Sequence, residues 1–106
     1  MEEDSLVNLK MPRPCKMRRV RGRPNSSYFK PAGKRIIELE ETSLTIEEFE
    51  ALRLKDLLNL EQNECAEKME ISQPTFHRIL LSARKKIADA IVNGKAIKIN
   101  EKPFGG

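Results

Sequence analysis

Residues 62–81, QNECAEKMEISQPTFHRILL, decide how this chain folds. Cys65, Ala66 and Met69 line one side of a short helix from about Gln62 to Met69, while Glu67 and Lys68 face outward. Glu70-Ile71 breaks the run. Ser72 is the natural N-cap of the next helix, because its hydroxyl can accept from a first-turn amide. Pro74 then falls in that first turn, where amides have no helical partner and proline is tolerated. Cys65, Met69, Ile71, Phe76 and Ile79 are apolar where two short helices must meet, and Ala66 is small where they cross. The pattern predicts a helix-turn-helix whose second helix presents its N-terminal turn outward. A helical hairpin with no nucleic-acid role satisfies part of the same pattern.

Upstream, Thr45 and Glu48 have the spacing of a capping box, with Leu44 placed to begin a hydrophobic staple. Ile46, Phe49, Leu52 and Leu57 follow close to helical spacing and predict a first helix from about Ile46 to Leu58. Downstream, Phe76, Ile79, Leu80, Ala83, Ile87 and Ile91 form a stripe that extends the third helix from Gln73 to about Val92. Its second half exceeds what a minimal three-helix core needs and is available to pack on flanking strands. Two short apolar stretches supply those strands, at Ile36, Ile37 and Leu39 and at Ala96, Ile97 and Ile99 after the turn signal Asn93-Gly94. They can pair with each other or with a second subunit. The expected core comprises Phe49, Leu52, Ala66, Met69, Ile71, Phe76, Ile79 and Leu80. The fold class is mainly α: a tri-helical core with helix-turn-helix, flanked by short β segments and preceded by a basic N-terminal arm. The expected divisions are a flexible arm over 1–35, the domain over 36–99 and a flexible tail over 100–106.

Charge is segregated along the chain. Lys10 to Arg35 holds ten Lys and Arg and no acid; Ile36 to Glu70 holds eleven acids against three bases; the remainder holds seven bases against two acids. The net charge of +4 conceals this polarity. A basic arm and a basic third helix suit a polyanion, although a basic leader can also serve solubility alone. The arm holds Pro12, Pro14, Pro24 and Pro31, with Gly22 and Gly33 as turn-prone points, so no regular framework fixes its side chains. Arg18, Arg19, Arg21 and Arg23 are therefore expected to hold phosphates or enter a minor groove. Gln73, Thr75, His77 and Arg78 are expected to face a major groove of double-stranded DNA, with Ser72 opening the helix and Arg84, Lys85 and Lys86 on the flank. Tyr28 and Phe29 either dock on the helical core or stack on bases. The carboxylates between Glu38 and Glu50 read as solvated surface that repels DNA from that side.

No run of about eighteen apolar residues is present, so no membrane partner is expected. The start, MEEDSLVNLK, is acidic where a secretory leader is basic, and cytoplasm is the expected compartment. Cys15 and Cys65, fifty positions apart, read as thiols. With His77 as the single histidine and no glycine-rich phosphate loop, no enzyme activity, cofactor or metal is expected. A protein-interaction adaptor, an RNA polymerase-associated factor without independent DNA specificity, and RNA binding by the arm remain alternatives. A homodimer joined through the 36–39 and 96–99 edges would give two half-sites.

The segment LTIEEFEALRLKDLLNLEQNECAEKMEISQPTFHRILLSARKKIADAI resembles the helix-turn-helix of sigma-factor region four. From about Pro12 to Ile99 the chain is similar to a prokaryotic family of predicted DNA-binding proteins, uncharacterised protein family 0251. The pieces that match are PRPCKMRRV, the YFKPAG element at Tyr28 to Gly33, EALRLKDL, ECAEKM with SQPTFHRIL, and SARKKIADAIVNGKAIKI. The resemblance implies DNA binding in transcription, with no established target. Glu70 stands where such turns usually carry glycine, which implies backbone strain there. Pro74 stands where the family commonly has a polar residue, which implies one fewer DNA-facing side chain.

Overall fold

The computed structural model describes residues 20–101, with the Ile36 side chain set aside. The expected residues Arg18, Arg19 and Cys15, and the tail beyond 101, lie outside the described residues. The elements in order are β1 (Tyr28–Phe29), a 3-10 turn (Ile36–Glu38), β2 (Glu41–Thr45), α1 (Ile46–Ala51) running on as a π-helical turn (Leu52–Leu57), α2 (Gln62–Met69), α3 (Gln73–Asn93) and β3 (Ala96–Asn100). Three helical segments form the core and a three-stranded sheet flanks it.

The caps follow local chemistry. Thr45 Oγ1 accepts from the Glu48 amide at 3.0 Å, and the Glu48 carboxylate accepts from the Thr45 amide at 2.9 Å, closing the capping box. Ser72 Oγ accepts from the Thr75 amide at 3.3 Å and starts α3, with Pro74 in its first turn. Between the two helices Glu70 adopts left-handed backbone, φ +59° and ψ +44°. The Ile71 amide donates to Ala66 O and the Glu70 amide to Glu67 O, the Schellman pair that satisfies the end of α2. That turn stores of the order of 1 kcal/mol or more of strain, which glycine would avoid. Asn93-Gly94 is used as a helix ending too: Gly94 has φ +69° and the Lys95 amide donates to Ala90 O.

Two cores share α3. The first joins Ala51, Leu54, Cys65, Ala66, Met69, Phe76 and Leu80, with Ile71 and Ile79 packed at its edge. The second joins Leu44, Ile46, Ala83 and Ile99, with Val20, Phe49, Ile87 and Ile97 against it. The second half of α3 thus packs on the sheet, as its long stripe requires, except at Ile91, which is 74% exposed. Leu57 is also exposed: the wider π turn shifts the helical phase, so Leu54 takes the inward position.

The sheet corrects two expectations. Ile36–Glu38 is a 3-10 turn, and the strand lies five residues on, in the polar ETSLT of β2. β3 is the central strand, parallel to β2 (Leu44 opposite Ile99) and antiparallel to β1 (Phe29 opposite Ile97). With both its edges occupied, 96–99 offers no edge to a second subunit. Residues 20–35, grouped with the arm by composition, include β1 and the core contact of Val20.

Phe76 is fully buried at the meeting of α2 and α3. Phe76→Ala should lower the free energy of unfolding by about 3–5 kcal/mol. Urea titration followed by circular dichroism measures this, and a loss under about 1 kcal/mol would contradict the packing described.

Candidate nucleic-acid interface

α3 carries the candidate residues, and its packing sorts them. With Phe76, Leu80 and Ala83 turned inward, Gln73, His77, Arg78, Arg84 and Lys85 are exposed while Thr75 and Lys86 are half-buried. Ser72, Thr75 and Arg78 form a chain at the helix start: Ser72 Oγ donates to Thr75 Oγ1 at 3.0 Å, and Arg78 Nη2 donates to the same oxygen at 3.4 Å. His77 Nδ1 and Gln62 Nε2 lie 2.9 Å apart, which ties α3 to α2.

Two of the expected phosphate holders are engaged internally. Arg84 donates twice to Asp56, at 2.6 and 3.0 Å, bracing α3 against the π turn and holding the Asp56 carboxyl below its ordinary value. Lys86 Nζ donates to Glu48 at 2.9 Å. Lys85 and Gln73 make no side-chain hydrogen bond or ion pair among the described residues, though the charge of Lys85 acts on the Asp89 carboxylate one turn on. The three consecutive cations Arg84, Lys85 and Lys86 therefore do three different things: one braces the π turn from the exposed side, one stays exposed with only the longer-range pull of Asp89, and one pairs with a buried acid.

Glu38, Glu40 and Glu41 are exposed, as expected of solvated acid, but Glu48 and Glu50 are not: they are 6% and 1% exposed. Both have their charge met. Glu48 accepts from the Thr45 amide, Ser82 Oγ and Lys86 Nζ, fastening α1 to the middle of α3. Glu50 accepts from Arg53 at 2.8 and 3.0 Å, and from the backbone amides of Arg21 at 3.0 Å and Gly22 at 3.2 Å. The basic arm is therefore held to the domain by its backbone, which leaves the exposed side chains of Arg21 and Arg23 to point elsewhere. Gly22 is needed for close approach, because a Cβ there would overlap Nε and Cδ of Arg53. No periodicity identifies a buried glutamate; the one sequence signal was the capping-box position of Glu48.

Beside the arm lies an open apolar groove of about 630 Å³, lined by Phe29, Phe49, Leu52, Leu57, Ile87 and Ile97, with Arg23 at its margin. Among the described residues no group of three or more His, Cys, Asp or Glu could hold a metal ion. Cys65 is a buried free thiol. No described helix is long and apolar enough to cross a membrane.

The buried acids make stability depend on pH. Burial pushes both carboxyls up, and their hydrogen bonds and cations outweigh it, so each sits below the ordinary 4.5. A lowered folded value means the contribution is complete above pH 4.5 and is lost as pH falls through the folded value. The denaturation midpoint should therefore drop between pH 7 and pH 3, and Glu50→Gln should lessen that drop. Arg53→Ala, which strips Glu50 of its cation, should cost about 3 kcal/mol at pH 7. An acid dependence unchanged by Glu50→Gln would show that the clamp is not the titrating element.

The family model described as "Protein of unknown function DUF134" matches residues 9–104. A UPF0251 protein of Caldanaerobacter subterraneus subsp. tengcongensis is 60% identical over 98 residues, covering 90% of this chain and 83% of the relative. One from Thermoanaerobacter pseudethanolicus is 61% identical over 89 residues, covering 84% and 75%. One from Dehalococcoides mccartyi strain BAV1 is 58% identical over 89 residues, covering 84% and 76%. No solved structure matches the chain. At these identities over most of its length, the chain belongs to the uncharacterised UPF0251 (DUF134) family.

Proposed function

We propose that this protein is a sequence-specific DNA-binding protein of the cytoplasm that regulates transcription, with α2, the Glu70 turn and α3 acting as a helix-turn-helix. The observation that carries the reading is the composition of α3's outward surface. From Gln73 to Ala88 the helix has no acid, and Arg78 and Lys85 stand exposed on it. In its N-terminal turn Ser72 Oγ takes the Thr75 amide and Pro74 has none, which leaves the Gln73 amide and the helix dipole to a phosphate. Of the acids of α1, Glu48 and Glu50 are buried and neutralised within the fold and subtract little from the field outside, whereas half-buried Glu47 lines a shallow pocket with Thr75 and Arg78 and offsets part of it there.

On this reading the arm and the helix have separate tasks. Arg21 and Arg23, with Arg18 and Arg19 before them, hold phosphates or a minor groove. Gln73, Thr75, His77 and Arg78 address base edges in the major groove, with Gln and Arg suited to adenine and guanine. Lys85 holds a phosphate without breaking a direct ion pair, whereas Arg84 must share its contact with Asp56. Dimerisation on DNA would join two half-sites about one helical turn apart. The free edges for it belong to β1 and β2.

A second reading, a protein-interaction module or RNA polymerase contact, draws on the apolar groove and on Phe29 and Leu57 at 52% and 76% exposure. Competition gel shifts on genomic fragments separate the two. Retention of particular fragments under excess random DNA supports the regulator; equal loss on every competitor counts against it.

Replacing Arg21 and Arg23 with Ala should weaken all sequences alike and lower the slope of log affinity against log salt by about 0.9 per lost phosphate contact. Lys85→Ala should do the same, and Lys86→Ala should change the slope little. Gln73→Ala or Arg78→Ala should instead reorder the preferred sites, by about 1–3 kcal/mol at the base pair concerned. Titrations on a selected site and on scrambled DNA at several salt concentrations decide this. Arm variants that reorder sites, or helix variants that only shift overall affinity, would reverse the assignment.

A further inference from the structure

Basic residues do not account for the whole outer face of α3. Pro74, Arg78, Leu81 and Lys85 follow one another at spacings of four, three and four, so they stack into one ridge opposite Phe76 and Ala83. All four are exposed, and Leu81 leaves 48% of its surface in solvent. Leu81 belongs to neither core cluster. Its position is what matters: one turn before it stands Arg78, one turn after it Lys85, and no acid lies on α3 until Asp89. The Thr75 hydroxyl accepts from Arg78 and holds its guanidinium near the start of the ridge. The ridge therefore alternates apolar and cationic side chains on a surface that suits a polyanion.

Resting on the DNA-binding reading above, we infer that Leu81, with Pro74 before it, reads thymine through its 5-methyl group beside the base pair addressed by Arg78. The reasoning is one of matching chemistry. A major groove offers polar base edges almost throughout, and its one apolar group is the thymine methyl. A leucine pressed against a polar edge strips water from groups it cannot satisfy, whereas against a methyl it loses nothing and buries apolar surface. Arg78 and Leu81 are three residues apart, about 4.5 Å along the helix axis. That is close to the ~3.4 Å between successive base pairs. The geometry therefore puts the thymine next to the guanine that a bidentate arginine prefers. Pro74 then fills the place of the polar side chain that the first helical turn lacks.

The test uses the full chain and a duplex selected from a random pool. Each thymine of the selected site is replaced singly by deoxyuridine, which removes only the methyl group. Affinity is measured for the native protein, Leu81→Ala and Val92→Ala, the last being a still more exposed apolar position, at 79%, at the far end of the same helix. Circular dichroism confirms that each variant is folded. One thymine, adjacent to a guanine whose replacement the Arg78→Ala variant ignores, should weaken native binding about fourfold on losing its methyl, the equivalent of one buried carbon. Leu81→Ala should bind the thymine and uracil duplexes equally, and Val92→Ala should behave as the native chain. Absence of any uracil effect, or an undiminished effect in Leu81→Ala, overturns the inference while leaving DNA binding intact. Loss of self-association in Leu81→Ala, measured by sedimentation, without change in uracil discrimination also overturns it and makes the ridge a chain-to-chain contact. A selection that enriches no sequence removes the DNA reading and this inference with it.

Discussion

A carboxylate withdrawn from water must be met by donors, and Glu50 determines which ones this fold provides. Arg53, three residues on, brings a guanidinium; the backbone of Arg21 and Gly22 brings two amides from nearly thirty residues away. The consequence is topological. The chain must pass over α1 at one point, with a glycine there, before it can run on to β1 and lie beside β3. Glu48, two residues before Glu50 and so on the other side of the helix, makes the same demand in the other direction and is answered by Ser82 and Lys86 of α3. The short α1 thus joins arm, sheet and third helix through two charges, beside the apolar contacts of Ile46 and Ala51.

The parts of this architecture that were legible in the sequence are those set by local chemistry. Thr45 with Glu48, Ser72 with Pro74, and the break after Met69 each act within four residues, and the helices begin and end where those signals stand. The strand at 41–45 was not legible, because ETSLT has one buried apolar residue, Leu44, and its register comes from β3 more than fifty residues later. Ile36–Glu38 is richer in apolar residues and still forms a 3-10 turn, since the hydrogen-bonding edge of β3 is taken by β2. Leu57 failed for another reason: a regular 3.6-residue period assumes a regular helix, and the π turn breaks the phase.

The candidate site shows the same division. Residue type alone singled out the basic and amide side chains of α3, and the described ones do lie along that helix. What sequence could not supply was their pairing. Asp56 reaches Arg84 and Gln62 reaches His77 because the π turn and α2 pack across α3. Lys86 is drawn to an acid that pattern analysis placed in water. Leu81 was passed over because it lies off the apolar stripe and carries no polar group to mark it as a contact; its exposure is seen only in the structure.

These pairings bear on how a polyanion would be held. A cation already bonded to a carboxylate adds little to the field and releases few counterions when a phosphate replaces its partner. Of the three cations at 84–86, only Lys85 makes no direct bond to a carboxylate, so α3 brings few strong phosphate contacts of its own. Binding strength on the DNA reading must then come mainly from the arm, whose ten Lys and Arg from Lys10 to Arg35 include no acid to neutralise them. A mobile tether would deliver those charges at a high entropic cost. The Glu50 clamp lowers that cost by fixing the backbone at Arg21 and Gly22 through their amides, which spends none of the arm's positive charge. Buried acid therefore serves a basic surface here: it anchors the arm to the domain while leaving the guanidinium groups outside the bond.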